Sequence, residues 1–326
     1  AALKRCSRCK QASYCGAECQ NAAWKGHKRT CGTLDEVWLK VNAARQANDW
    51  RELLKWEWRM EEMLQNQTDA ARDSILSEIA GAHKSGMMST GNPEYAVSIV
   101  SLQERRVELL GKMQRFRDQG ETLCNIAEQL GFVGKLQEST KSFERARRVA
   151  EAHGFFSVEC RSCLGLGKSA MLEGRADEGV EMLRHAMTAA PLSEENENNM
   201  ELNVFPAFTN ALFLTHAIDE VEPLVPRYLE AAKALSAKKG CLGYYDLHSL
   251  YTSARLHEAR GRPEEAAREV RALLDLLSEN QATVQDKAGR FRAFLDEVCS
   301  HLKVLDPEVG EQELVKSVAA SRAKLR

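Results

Sequence analysis

From Leu34 onward, apolar residues recur at intervals of three and four, the period that aims one stripe of a helix at a core. Ala, Leu, Glu, Arg and Lys are abundant there, Pro is rare, and strand-like alternation is nearly absent. An all-α fold is predicted, with helices around 37–47, 50–65, 68–85 and 93–112, and C-terminal helices near 283–302 and 312–324. Part of this pattern repeats. Cys163, Leu166, Gly167 and Ala170, followed by Gly174, Gly179, Leu183, Ala186 and Pro191, return as Leu123, Ile126, Ala127 and Leu130, then Gly134, Ser139, Phe143 and Ala146. A third copy reads Leu250, Ser253, Ala254, His257, Gly261, Ala266, Val270 and Leu273, and a weaker one with Phe208, Leu212, Leu224, Tyr228 and Ala231 centres on Asp219. The turn positions Gly134, Gly174, Asp219 and Gly261 are 40, 45 and 42 residues apart, and Gly91 and Asn48 continue upstream at 43 each.

These copies match the tetratricopeptide template, with Cys163 in its Trp slot. Residues 34–280 thus resemble tetratricopeptide proteins of the long-repeat kind, because the standard repeat is about 34 residues. The resemblance implies four to six helix pairs in an α-solenoid, closed by capping helices over 281–326. Small residues at Ala127, Gly167 and Ala254 let the helices of a pair approach, and Ala146, Ala186 and Ala231 do so for the next pair. No pair buries its apolar face alone, so stacking is required, and first helices line the face where partners bind. Template positions on that face fall on Arg161, Leu164 and Lys168, on Thr209 and Phe213, and on His248, Tyr251 and Arg255. This basic and aromatic set leads to the expectation of an acidic or C-terminal-carboxylate peptide as ligand.

Charge and cysteine placement add a second module. The net charge is −2 overall, yet the first 31 residues carry Lys4, Arg5, Arg8, Lys10, Lys25, Lys28 and Arg29 against Glu18 alone. Five of the ten cysteines also fall there, as Cys6-x2-Cys9, Cys15-x3-Cys19 and His27-x3-Cys31, while the other five are scattered through helical sequence. That distribution points to a reducing, intracellular compartment, cytoplasmic or nuclear, and to metal rather than disulfides. Disulfides would leave an odd cysteine and give His27 no role. Zinc wants four thiolate or imidazole ligands in a tetrahedron; a Cys-x2-Cys turn supplies two, and ligands at i and i+4 of a helix supply two more. Spacing alone lets Cys6, Cys9, Cys15 and Cys19 share one ion, or pairs the first two with His27 and Cys31.

The segment RCSRCKQASYCGAECQNAAWKGHKRTC resembles the MYND zinc finger. In that family the ions are held in interleaved fashion, which implies one closed site of Cys6, Cys9, His27 and Cys31 and a half-site of Cys15 and Cys19. The family's first cysteine pair has no counterpart in this chain, so about one tightly held Zn2+ is expected. The resemblance also implies a peptide-binding surface at Ser13, Gln20 and Trp24, with Trp24 alternatively packing on Tyr14.

Other signals point to no chemistry. Cys160-x2-Cys163 lies in a repeat helix, and Cys124, Cys241 and Cys299 read as small apolar fillers. His83, His153, His185, His216, His248, His257 and His301 show no pairing with a carboxylate or Cys at catalytic spacing. Gly165-Leu166-Gly167-Lys168 lacks the preceding glycine and strand of a phosphate loop. The finger's basic residues give the alternative reading, a nucleic-acid-associated transcriptional regulator, although no stacking platform or recognition helix accompanies them. No 18-residue apolar stretch or leader is readable. Lysine methyltransferases that carry the same finger need a β-rich domain split around it, and residues 32–120 read as helical. The expectation is a non-enzymatic zinc-binding adaptor whose finger (1–31) and helical body both bind proteins or peptides.

Overall fold

The computed structural model describes residues 4–7, 12–27, 34–47, 49–64, 67–193, 200–239, 243–279 and, in the C-terminal segment, 294, 297–298, 300–301 and 304–305. It is a helical protein with a small N-terminal finger. A two-stranded antiparallel ribbon, β1 (Lys4–Arg5) and β2 (Ser13–Tyr14), pairs Lys4 with Tyr14 and Arg5 with Ser13. Helix α1 (Ala17–His27) follows. The body then runs α2 (Leu34–Gln46), α3 (Trp50–Lys55), α4 (Glu57–Met63), α5 (Asp69–Thr90), α6 (Glu94–Lys112), α7 (Phe116–Phe132), α8 (Leu136–His153), α9 (Phe156–Leu172), α10 (Ala176–Ala189), α11 (Met200–Leu214), α12 (Ile218–Val221), α13 (Leu224–Lys239), α14 (Tyr244–Ala259) and α15 (Pro263–Glu279).

Helix pairs joined by tight turns make up the body: α5 with α6, α7 with α8, α9 with α10, α11 with α13, and α14 with α15. The turns are set by left-handed residues at Gly91, Gly134, Gly174, His216 and Gly261, spaced by 43, 40, 42 and 45 residues. Asp219, the predicted centre of the weak copy, is not the turn; the left-handed residue is His216, at φ 56. Asp219 sits instead in the one-turn helix α12, which ends two residues before Pro223. The helix predicted over 50–65 is likewise two helices, α3 and α4. Their junction is Trp56, whose N–H bonds the carbonyl three residues back at Leu53 (3.0 Å) while its buried indole donates to Glu52 (3.0 Å). Thr68 caps α5 by accepting the Ala71 N–H (3.3 Å).

The chain forms two compact units, Ala1–Val158 and Glu159–Arg326. In the first, Val37, Val41, Leu53, Trp56 and Met60 pack on the α5 residues Ile75, Leu76 and Ile79. In the second, the core runs through Leu183, Phe205, Phe208, Leu212 and Tyr228, with Phe205 and Tyr228 stacked at 4.6 Å. The repeat positions explain this packing. Ala127, Ala146, Ala186 and Ala254 are fully buried, and Ser139 donates to the Ala127 carbonyl across the α7–α8 crossing (2.7 Å). Cys163 and Cys160 are buried in α9, and burial raises the Cys160 thiol to about 12, so both are inert core fillers. Cys241 and Cys299 lie outside the described residues. Among the described residues, no helix is long and apolar enough to cross a membrane.

Candidate functional site

The finger brings its ribbon and helix together around Tyr14. Cys6 ends β1, is buried, and donates its N–H to the Ala12 carbonyl (2.8 Å), which closes the ribbon. Tyr14 packs on Cys6 from β2, and its ring meets that of His27, the last residue of α1, edge-on at 6.0 Å. Cys6 and His27 therefore flank one side chain. Cys15 and Cys19 sit at the start of α1, exposed, with their thiols hydrogen-bonded to each other. That bond, and the repulsion between two thiolates, raises the Cys15 pKa. Cys15 and Cys19 are thus close in space, Cys6 and His27 each pack on Tyr14, and Cys9 and Cys31 lie outside the described residues. The chemistry of this donor set, thiols and an imidazole on a ribbon and a facing helix, fits zinc.

Trp24 is 41% exposed and its ring lies against His27 at 5.7 Å. Ser13 and Gln20 stand on β2 and α1 of the same small module, Ser13 exposed and Gln20 partly so.

The residues predicted to line the repeat groove divide. Lys168 is exposed, and Arg161, Leu164, Phe213 and Arg255 are partly so. Thr209 is fully buried and donates to the Phe205 carbonyl (2.8 Å). His248 and Tyr251, expected on an open face, are corrected to core positions at 4% exposure each. Their rings pack on Phe294 of the C-terminal segment at 5.7 and 5.6 Å, so that segment covers them. Burial, reinforced by the positive charge of Arg255, pushes His248 down to about 3. Arg255 lies over the Phe213 ring at 4.2 Å and donates to Asn210.

The histidines also make pairs that the sequence did not announce. Three of them pair with carboxylates remote in sequence: His83 with Glu57 (2.9 Å), His257 with Glu269 (3.2 Å) and His301 with Glu258 (2.8 Å). No local spacing announces such pairs, since each joins two different segments.

A further feature had no sequence signal. A cleft of about 590 Å³ runs along α5, walled by Trp50 and Leu53 and by Arg106 and Arg115. At its base the buried Asp73 accepts from Arg106 Nε (2.7 Å) and Arg115 Nη1 (3.1 Å), and Arg115 Nε also donates to Asp118 (2.7 Å).

Comparison with known proteins places these features in a class. Residues 1–31 match the MYND finger family. Over 32 residues the chain is 56% identical to the human histone-lysine N-methyltransferase SMYD3, covering 10% of this chain and 8% of that protein. It is 51% identical over 35 residues to a SET and MYND domain-containing protein of Dictyostelium discoideum, covering 11% and 6%. The chain thus matches less than a tenth of the length of these curated relatives, and only through the finger. The body resembles a Pyrococcus horikoshii Signal Transduction ATPase with Numerous Domains carrying a tetratricopeptide repeat sensor, at TM-score 0.64 and 14% identity over 83% of this chain and 38% of that one. It also resembles the apo form of RapI at TM-score 0.61 and 8% identity, over 90% and 98%. At such identities the likeness is one of fold. Fold and finger together define a MYND finger followed by tetratricopeptide-like helical repeats.

Proposed function

We propose that this chain is a zinc-binding adaptor that joins protein partners through its finger and its helical repeats. The observation that carries the reading is the combination itself: a MYND finger match at residues 1–31 on a tetratricopeptide-like body, two module types that serve protein interaction. Zinc, when bound, supplies a structural crosslink. Cys6, Cys9, His27 and Cys31 would hold it in the closed site, and Cys15 and Cys19 form the open half-site. Glu18 stands on α1 as a first-turn acid that suits the helix dipole. Ser13, Gln20 and Trp24 are the finger's contact candidates, with Arg161, Lys168 and Arg255 those of the second unit. Between residues 34 and 120 every described element is a helix, which argues against the split β-rich domain that MYND-bearing methyltransferases require. We place the protein in a reducing intracellular compartment on its cysteine usage.

The test is affinity capture with the full chain, repeated after zinc chelation and with Trp24→Ala. Partners retained by the full chain, a subset of them lost on chelation or in the variant, support the reading. A chain that retains no protein would overturn it.

A further inference from the structure

The described residues between 294 and 305 are helical, and Phe294, Val298, His301 and Leu305 fall on one stripe of that helix. The stripe lies along α14. Phe294 enters a slot of three rings on successive turns of α14, those of Tyr244, His248 and Tyr251, at 5.7, 5.7 and 5.6 Å. Val298 is fully buried beside it with Leu247, Ala254, Val270 and Leu273. Two polar ties complete the contact: the Tyr251 hydroxyl is hydrogen-bonded to the Glu297 carboxylate, and His301 pairs with Glu258 at 2.8 Å. Phe294 meets residues 244–251 and His301 meets residues 251 and 258, so the segment runs in the direction of α14. Ser300 and Val304 are exposed, which makes the segment an amphipathic helix seated in a groove.

The seat is one that a ligand would use. His248 and Tyr251 hold template positions of the face on which first helices of this architecture receive partners. The segment also fits it imperfectly. His301 Nδ1 is buried without a hydrogen-bond partner, and the covered His248 is the imidazole that burial pushes down to about 3. A buried polar atom left unpaired costs free energy that water returns on exposure. A helix with the same aromatic and aliphatic positions and no imidazole in the His301 place makes the apolar contact without that cost, and Glu258, which is exposed, is then met by water.

We propose that the α14 face is a docking slot for an amphipathic helix of a partner protein, with an aromatic residue in the ring slot and an aliphatic one four residues on, and that the C-terminal segment holds the slot in cis until such a helix replaces it. The inference rests on the adaptor reading of the helical body and names the kind of segment that body takes.

The probe is a labelled synthetic peptide of residues 291–305 carrying Cys299→Ser, read by fluorescence anisotropy against the full chain. In the wild type the chain's own segment competes and binding is weak. Val298→Ala should bind the peptide more tightly, and Phe294→Ala/Val298→Ala about tenfold or more tighter than the wild type, because freeing the slot raises the fraction of chains competent to bind. The same peptide with Phe294→Ala and Val298→Ala has no fold to lose and should bind about tenfold or more weakly, having lost both anchors. Amide exchange of α14 and α15 reports the fold of the variants. If the double variant melts that pair, Val298→Ala decides by the same comparison. Equal peptide binding by wild type and folded variant, or melting of the pair in both variants, shows a structural cap and overturns the proposal. Light scattering tests the other occupant: a wild-type dimer that the variants lose assigns the slot to the segment of a second copy and overturns the partner helix. The peptide readout uses no partner, so retained protein capture with equal peptide binding removes the slot and leaves the adaptor standing.

Discussion

Gly167 and Gly179 face each other where α9 and α10 cross. A Cβ on Gly167 would sit 2.6 Å from Leu183 Cγ and 3.0 Å from the Gly179 carbonyl, closer than either contact allows. Gly167→Ala is therefore expected to cost about 1–3 kcal/mol by overpacking, whereas Gly81→Ala, on an open helix face, should gain up to about 1 kcal/mol. Urea unfolding of the two variants checks the opposite signs. His248 carries a second expectation at this scale. Its native pKa, about 3, lies below the ordinary 6.5, so the unfolded chain binds the extra proton between those values. Stability of its unit is complete above pH 6.5 and falls as pH drops toward 3, by up to about 1.4 kcal/mol per unit. Thermal unfolding of wild type and His248→Gln across that range should show the variant with the shallower dependence.

Among the elements, the finger is the one that depends on something other than packing. Its described core is Cys6 and Tyr14 with Ala12 beside them, too little to hold a ribbon and an 11-residue helix in water. Chelation of zinc is expected to abolish α1 and leave the body's helices intact, because structural zinc sites contribute roughly 10–16 kcal/mol to folding. Metal analysis beside amide exchange checks both halves: about one zinc per chain, and exchange confined to residues 1–31. Two tightly held ions would contradict the closed-site and half-site reading. In the body, α5 and α6 are tied through Asp73, buried at 5% exposure between two arginines. Asp73→Asn should lower stability by about 1.5–3 kcal/mol through its charge-assisted hydrogen bonds. The Arg145–Glu104 pair is about 40% exposed on both sides, so Glu104→Gln should change stability by no more than about 1 kcal/mol. Chemical unfolding of the pair of variants tests that ranking.

At the scale of the molecule, each unit is tied by contacts of two kinds. Regular helix crossings come from buried small residues recurring at fixed offsets, such as Ala127, Ala146, Ala186 and Ala254. Side chains from segments some 26 to 45 residues apart then add pairs: Arg105 to Glu61, Arg184 to Glu220, His83 to Glu57 and Arg255 to Asn210. The sequence alone determined the first kind, together with the helical class and the finger, because these depend on periodicity and local spacing, which the chain carries wherever it folds. Left-handed turns at glycine were readable for the same reason, and the one at His216 was not, since nothing local marks a histidine for φ 56. Only the tertiary structure decided that Trp56 divides a helix, that Phe294 covers His248 and Tyr251, and that Arg106 and Arg115 meet on the buried Asp73. Those outcomes depend on which surfaces meet across long stretches of chain. A template position specifies the side of a helix, and what lies against that side is settled by its neighbours.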